Sequence, residues 1–264
     1  SPGYAREILT AEYGMGLEDT LQARSGALIG ILNGVDYDEW DPRRDRYLPR
    51  HYGANQLRTK ADLKQQLLAR LKLRDAPRCP LVGIISRLAI QKGFDLLIDA
   101  LPPLLATRDF NLVVLGTGEP RYEGFFMRLQ RRHPGRVHFH RGYSDELAHW
   151  IEAGSDMFLM PSHYEPCGLN QLYSLRYGTV PVVRRTGGLA DTVRHFDAAT
   201  GTGTGVVFND YNVEGVTWAM NTALDLYLQR GNWRRLVQNG MAQDFSWQRQ
   251  IQQYSEMYQQ LVQE

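Results

Sequence analysis

Apolar and polar positions follow two different periods along the chain, and the change of period marks the predicted elements. From residue 81 onward, short continuous apolar runs alternate with segments whose apolar residues return every three or four positions, as Leu97, Leu101 and Leu104 do. The predicted strands are 81–85, 111–115, 137–140, 156–160, 180–183 and 205–208, and the predicted helices between them are 94–106, 119–133, 144–153, 168–177 and 188–194. This alternation predicts an α/β fold with a Rossmann-like parallel sheet covered by helices on both faces.

The preceding part of the chain has fewer signals of regular structure. The apolar stretch 27–32 predicts a short strand, and the Asn-Gly pair at 33–34 predicts a tight turn after it. Thr59, with Asp62 three residues later, has the pattern of a capping box and predicts the start of a helix. The rest of residues 1–50 is rich in turn-forming residues and is predicted to be irregular.

Three further helices are predicted after the last strand. Asn212 and Asn232 each precede an amphipathic stretch and can begin a helix, and Gly240 can end the second one. The third helix begins at Ser246. Its apolar residues lie along one side of the helix: Trp247, Ile251, Tyr254, Tyr258 and Leu261.

Composition excludes several classes of protein. The 264 residues include 30 Lys and Arg and 29 Asp and Glu, and this balance argues against a nucleic-acid-binding domain and gives no reason to expect a membrane as partner. No apolar stretch approaches the ~20 residues that cross a bilayer. Cys79 and Cys167 are too few for a disulfide scaffold or a zinc site, so we expect a reducing compartment and no metal. The first residues show neither a starting Met nor a secretion signal, and we expect a processed or truncated chain.

Candidate chemistry is expected in the loops after the strands, because open parallel sheets bind ligands at the carboxyl ends of their strands. The loop after the first strand carries Arg87 and Lys92 beside a predicted helix N-terminus. Two cations there suit a diphosphate, because free N–H groups and the helix dipole favour anions and Arg can grip phosphate oxygens bidentately. The alternative is a pair of solvated surface cations.

The next two loops carry weaker signals. Gly116 and Gly118 either let the backbone approach a nucleotide closely or form a tight turn, and Arg121 stands where a dinucleotide fingerprint needs its third glycine, which argues against NAD. Tyr143 precedes a helix for which Ser144 is a natural N-cap. Its ring could stack on a base, but the residues alone favour packing against the helix.

The loop after the fourth strand is the most unusual. Glu165 lies at the strand end, where it could orient sugar hydroxyls or stabilise positive charge at an anomeric carbon; the alternative is an acid in the first turn of a helix. The backbone N–H groups of Gly168, Leu169 and Asn170 could meet a phosphate. Cys167 has no visible partner that would make it a nucleophile, so we interpret it as part of a pocket wall.

Taken together, these loops form a pattern that resembles the bacterial-type glycogen and starch synthases. The similar motifs are 86–96 (SRLAIQKGFDL), 164–173 (YEPCGLNQLY) and 184–193 (RRTGGLADTV), with shorter ones at 1–8 (SPGYAREI), 31–36 (ILNGVD) and 244–247 (DFSW). They occur in the family's order and spacing over essentially the whole chain. The resemblance implies a retaining GT-B glycosyltransferase that extends α-1,4-glucan from ADP-glucose, with this chain as its C-terminal, donor-binding domain.

The resemblance also implies roles for single residues. Arg87 and Lys92 match the cations that bind the donor diphosphate and stabilise the departing ADP, and Tyr143 matches an aromatic residue that stacks on adenine. Glu165 matches the carboxylate beside the transferred glucose. The reaction implied is front-face attack by the acceptor hydroxyl with retention at the anomeric carbon, without a metal or a cofactor besides the donor.

The remaining correspondences concern the donor pocket. Cys167 matches a pocket cysteine, and the backbone around Leu169 and Asn170 matches contacts to phosphate and sugar. Related GT-B enzymes carry a second glutamate eight residues after the first, where this chain has Tyr173. The synthases have the same departure, which favours them over those relatives.

The resemblance finally implies that an N-terminal domain of similar size is missing. We expect residues 1–26 to connect to that domain, residues 27–244 to form the nucleotide-sugar-binding domain, and residues 245–264 to form a helix that returns toward the missing part. The acceptor surface lies largely in the missing domain, so the chain alone is expected to bind ADP and to be poorly active.

Two alternatives remain open at this point. The chain could be a non-catalytic nucleotide- or glucan-binding module, or a related GT-B transferase that uses UDP-glucose. The expected location is the cytoplasm of a bacterium, or the plastid if the source is a plant or an alga.

Overall fold

The computed structural model describes residues 1–263 and contains a six-stranded parallel sheet. Its strands are β1 (Leu81–Ile85), β2 (Asn111–Gly116), β3 (Val137–Arg141), β4 (Met157–Met160), β5 (Val180–Arg184) and β6 (Val206–Phe208). They lie in the order β3-β2-β1-β4-β5-β6. The chain builds outward from β1 in one direction and then from β4 in the other, so a crevice for a ligand forms where the loops after β1 and β4 diverge.

Helices cover both faces of the sheet, as the alternation predicted. They are α1 (Pro2–Glu7), α2 (Glu18–Ala23), α3 (Leu57–Arg70), α4 (Phe94–Thr107), α5 (Pro120–Arg132), α6 (Asp145–Gly154), α7 (Asn170–Tyr177), α8 (Gly187–Thr192), α9 (Val213–Leu228), α10 (Arg230–Met241) and α11 (Trp247–Gln263). Successive strand residues point to opposite faces, so β1, β2 and β4 contribute to two apolar layers. One layer is formed with α4, α5 and α9, and the other with α3 and α6.

Two predictions before β1 are wrong. Residues 27–32 form no strand, and the nearest sheet-like contact is an isolated bridge between Val35 and Ser246. Helix α3 begins at Leu57, so Thr59 lies inside its first turn rather than at its cap. Asp62 forms an ion pair with Arg50 at 2.9 Å instead of completing a capping box.

Other helix ends differ from the pattern by a few residues. The stretch predicted to be irregular contains α1 and α2, and the side chain of Ser1 caps α1 by accepting from the N–H of Tyr4. Helix α10 begins at Arg230 rather than Asn232 and includes Gly240. The side-chain caps at Ser144 and Asn212 are confirmed.

Helix α11 leaves apolar side chains in solvent. Ile251 is 56% exposed and Leu261 is 63% exposed, and Trp247 and Tyr258 are exposed as well. The helix is nevertheless amphipathic: Trp247 at its start lies against Gly34, but much of its apolar side beyond that residue stays exposed within the described part of the chain. No helix there is both long and apolar enough to span a membrane.

Candidate active site

A cavity of about 420 Å³ opens at the carboxyl ends of β1 and β4, where the direction of the strand order changes. It brings together seven of the ten residues that the sequence singled out: Arg87, Lys92, Glu165, Cys167, Gly168, Leu169 and Asn170. These residues come from two loops that are more than seventy positions apart in sequence. The parallel sheet is what places the two loops side by side.

The two loops are held together by hydrogen bonds and by a close backbone contact. The N–H of His163 donates to the carbonyl oxygen of Gln91 at 2.8 Å, and the side-chain amide of Gln91 donates to the carbonyl oxygen of Tyr164 at 3.0 Å. Gly93 has φ +77°, and a Cβ there would lie 2.0 Å from the carbonyl oxygen of Pro161. Only glycine satisfies both conditions, so the turn after Lys92 can press directly against the β4 loop.

Lys92 and Glu165 form an ion pair inside this cavity. The distance from Lys92 Nζ to Glu165 Oε2 is 2.6 Å, and the hydroxyl of Ser162 donates to the same oxygen at 3.2 Å. Oε1 of Glu165 makes no hydrogen bond with the described residues. The carboxylate is therefore held by one oxygen, and the other is available to a ligand in the cavity.

Arg87 is the second cation and is less constrained. It is exposed at the cavity rim, and within the described residues its guanidinium donates one hydrogen bond, to the side-chain oxygen of Gln91 at 3.2 Å. It forms no ion pair within residues 1–263. An anion in the cavity can therefore engage Arg87 without displacing a carboxylate.

The N-terminus of α7 forms the floor of the cavity. The backbone N–H groups of Leu169 and Asn170 have no acceptor within the described residues, as expected for a helix start without a side-chain cap. The side-chain amide of Asn170 donates to the carbonyl oxygen of Ile85 at 2.7 Å, which ties this helix to the end of β1. Gly168 has φ +73°, which turns the chain into the helix.

Cys167 is a buried wall of the cavity rather than a nucleophile. Its Sγ accepts the backbone N–H of Asn33 at 3.4 Å. Burial raises the pKa of the Cys167 thiol, so less of it is in the reactive thiolate form. Asn33 itself lines the cavity, a contribution that the sequence reading of this segment as a turn did not reveal.

Gly116 and Gly118 lie outside the cavity lining. A Cβ on Gly116 would lie 2.0 Å from the carbonyl oxygen of Ser86, and one on Gly118 would lie 2.2 Å from that of Leu88. These glycines therefore let the β2 loop pack against the loop that carries Arg87. Close packing within the protein accounts for both of them.

Tyr143 also lies outside the cavity lining, on the exposed surface. Its side chain is 76% exposed, so it does not pack as a hydrophobic contact of α6. Its hydroxyl donates to the carboxylate of Asp145, and this hydrogen bond raises the pKa of Tyr143 to about 12. The ring faces remain accessible to a planar ligand.

Ser162, like Asn33, is a residue of this site that sequence reasoning missed. It is buried and directly precedes the His-Tyr-Glu segment after β4. Its position just after a strand end was the available signal, but a serine there is common in turns. Within the described residues, no cluster of three or more His, Cys, Asp or Glu side chains is arranged to hold a metal ion.

The model of the family "Glycosyl transferases group 1" matches residues 69–240. The chain belongs to this family. The matched segment contains both loops of the cavity and all six strands.

Curated relatives confirm the resemblance to glycogen and starch synthases. A glycogen synthase of Anaeromyxobacter dehalogenans is 52% identical over 262 residues, which are 99% of this chain and 54% of the relative. A glycogen synthase of Koribacter versatilis is 50% identical over 255 residues, which are 97% of this chain and 52% of the relative. The chain thus spans about half the length of these curated relatives.

Solved structures confirm the fold expected of a GT-B glycosyltransferase. The catalytic domain of starch synthase IV from Arabidopsis thaliana, bound to ADP and acarbose, superimposes with a TM-score of 0.94 at 38% identity, over 100% of this chain and 55% of that one. Anabaena HepE in complex with UDP-glucose superimposes with a TM-score of 0.63 at 21% identity, over 94% of this chain and 62% of that one. The second likeness concerns the fold alone.

Proposed function

We propose that this chain is the donor-binding half of a retaining glucosyltransferase that moves glucose from ADP-glucose to the non-reducing end of an α-1,4-glucan. One observation carries the proposal: the same cavity is lined by two cations, by a carboxylate with one oxygen free for a ligand, and by the N-terminus of α7, which has no side-chain cap. The starch synthase structure with ADP and acarbose, and the glycogen synthases at about half identity, support the choice of donor and acceptor.

The diphosphate of the donor would bind between Arg87, Lys92 and the N-terminus of α7. Its negative charge increases as the bond to glucose breaks, so fixed cations and N–H groups stabilise the transition state more than the ground state. Arg87 can form two parallel hydrogen bonds to phosphate oxygens, whereas Lys92 acts as a point charge. These side chains would perform the charge stabilisation without a cofactor besides the donor.

Glu165 would lie beside the glucosyl group. Lys92 and Ser162 hold its Oε2, which leaves Oε1 to contact a sugar hydroxyl or the positive charge that develops at the anomeric carbon. Because Lys92 contacts the carboxylate and lies next to the phosphate position, it would link the two charged ends of the breaking bond. Tyr143 would stack on adenine, for which its exposed ring is available.

The binding site for the acceptor would be completed by a domain outside this chain. The chain spans about half the length of these relatives, and much of the apolar side of α11 is exposed within the described residues. We therefore propose that residues 1–26 connect to an N-terminal domain, that residues 27–244 bind the nucleotide sugar, and that the helix at 245–264 packs against that domain. The bacterial relatives support a cytoplasmic location for the proposed enzyme.

Calorimetry with ADP, ADP-glucose and UDP tests this proposal. We expect the folded chain to bind ADP and ADP-glucose and to prefer ADP over UDP. No binding of either nucleotide at millimolar concentration would contradict a donor site. Stronger binding of UDP would instead favour a UDP-glucose transferase, and binding of a maltooligosaccharide without any nucleotide would favour a non-catalytic glucan-binding module.

A further inference from the structure

Helix α1 packs against α8 and against the loop that carries Glu165. The N–H of Gly3 donates to Oδ2 of Asp191 on α8 at 2.7 Å. The ring of Tyr4 stacks on that of Tyr164, with 6.5 Å between the ring centroids. The first residues of the chain are therefore fixed to the donor site from outside the cavity.

Glu7, at the end of α1, supplies a cap that α8 does not provide for itself. Thr186 occupies the N-cap position of α8, but its side chain makes no cap hydrogen bond within that helix. Its hydroxyl donates instead to Oε1 of Glu7 at 3.0 Å, and the N–H of Gly187 donates to the same oxygen at 2.7 Å. A carboxylate also suits the positive end of the helix dipole.

Helix α8 in turn contacts the backbone of Glu165 directly. The N–H of Gly188 donates to the carbonyl oxygen of Glu165 at 2.9 Å. A Cβ on Gly187 would lie 2.0 Å from that oxygen, and one on Gly188 would lie 2.0 Å from the carbonyl oxygen of Cys167. With no side chain between the two segments, a displacement of α8 displaces Glu165.

We propose that Glu7 is a positioning residue that fixes Glu165 for the glucosyl part of the donor by capping α8. This inference rests on the proposed function, since it assigns the glucosyl contact to Glu165. It adds a residue outside the cavity lining. Helix α1 would thereby help to determine where the carboxylate of Glu165 lies.

Glu7→Ala separates this role from general stability. Arg87 belongs to the loop after β1, which is not among the contacts described for α8, and Lys92 is linked to α8 only through Glu165. We therefore expect calorimetry to show ADP affinity within about twofold of wild type and ADP-glucose affinity reduced by about fivefold or more, equivalent to about 1 kcal/mol. The ratio of the two affinities is the readout, because partial unfolding would weaken both ligands equally.

Two further variants make the assignment specific. Glu7→Gln keeps a side-chain oxygen for Gly187 N–H and Thr186, so it should restore most of the ADP-glucose affinity. Thr186→Val removes one of the two donors and should weaken ADP-glucose in the same sense but less. The matched control is Glu12→Ala, which removes an exposed glutamate from the same segment and should change neither affinity.

The outcomes are distinguishable from a failure of the proposed function. If wild type binds no nucleotide, the proposed function fails. If wild type binds both ligands and Glu7→Ala leaves their ratio unchanged, or Glu7→Gln behaves like Glu7→Ala, the positioning role is wrong. If Glu7→Ala does not fold, Thr186→Val and Glu7→Gln decide the question by the same ratio.

Discussion

Arg87 and Lys92 show how two residues of the same charge differ once their surroundings are known. Their place at a strand end suited a diphosphate but left solvated surface cations as an alternative, and the resemblance to glycogen and starch synthases then implied that both bind phosphate. The sequence could not predict that Lys92 is paired with Glu165 at 2.6 Å. Nor could it predict that Arg87 is exposed, with Gln91 as its one hydrogen-bond partner among the described residues. Such a pairing depends on two loops that meet only in the folded sheet, and no local spacing encodes it.

This difference predicts unequal effects of the two substitutions on ADP binding. Arg87→Ala removes up to two charge-assisted hydrogen bonds and should weaken ADP about 10- to 100-fold. Lys92→Gln should weaken it less, because in the free protein that cation is already shared with Glu165. Calorimetry measures both affinities.

Matched controls for this prediction are exposed cations elsewhere. Arg128→Ala on α5 and Lys72→Gln after α3 each remove one positive charge at a position outside the cavity lining, and both should leave ADP affinity unchanged. Equal weakening by controls and site variants would mean that overall charge, rather than a defined site, attracts the nucleotide.

At the scale of elements, strands were easier to predict than helix ends. Five of the strands are short, mostly apolar runs, and β3 alternates apolar residues with His138 and His140, which is why β1 to β6 were found. The start of α3 was placed wrongly because Thr59 has the right residue type for a cap, but Asp62 interacts with Arg50 instead. Helices α1 and α2 were missed because helices of six residues provide too few turns for a period to emerge. Helix α8 is equally short but lies within the regular alternation of strands and helices, where a helix was expected.

Two glycine substitutions should change the free energy of unfolding in opposite directions. One lies at the contact between α8 and the loop after β4, and the other lies on α10. Gly188→Ala forces a Cβ to within 2.0 Å of the carbonyl oxygen of Cys167, and overpacking of this kind costs about 1–3 kcal/mol of the free energy of unfolding. Gly231→Ala lies near the start of α10 with nothing within 4 Å of the new Cβ, so better helix propensity should raise stability by up to about 1 kcal/mol.

Urea unfolding of both variants measures these changes. The midpoint should fall for Gly188→Ala and stay equal or rise for Gly231→Ala, with unchanged slopes. A stable Gly188→Ala variant that still binds ADP-glucose normally would show that α8 can move away without affecting the donor site.

At the scale of the whole molecule, two buried carboxylates make stability depend on acid. Burial alone would raise the pKa of Asp45, but hydrogen bonds from His149, Tyr177 and the backbone of Tyr47 hold that pKa below its usual value. The pKa of Asp41 is likewise lowered, against its burial, by hydrogen bonds from Arg43 and Arg176. These groups join the loop before α3 to α6 and α7.

The sign of this effect follows from linkage. A carboxyl group whose pKa is lower in the folded state stabilises that state above its unfolded pKa of about 4, and the contribution disappears as the pH falls through the folded pKa. We expect the contribution of Asp41 and Asp45 to the urea midpoint to be steady from pH 7 to pH 5 and to be lost steeply below about pH 4.

Asp45→Asn tests the assignment. It should lower the free energy of unfolding at pH 7 by about 1–3 kcal/mol and make the decline below pH 4 shallower. Asp99→Asn, on the exposed side of α4, is the control and should keep the wild-type profile. An identical acid profile for Asp45→Asn would place the acid sensitivity in other carboxylates.

The glycines at the backbone contacts around the cavity have a consequence for mutational screens. Gly93, Gly116 and Gly188 each leave a carbonyl oxygen about 2.0 Å from where a Cβ would be. A screen that scores each substitution by lost activity would rank these three positions with Arg87. Yet a glycine has no side chain that could bind a ligand. Positions that do not tolerate substitution would therefore mark the backbone contacts between the loops as clearly as the residues that bind the ligand. Separating the two requires ligand affinity and folding to be measured independently.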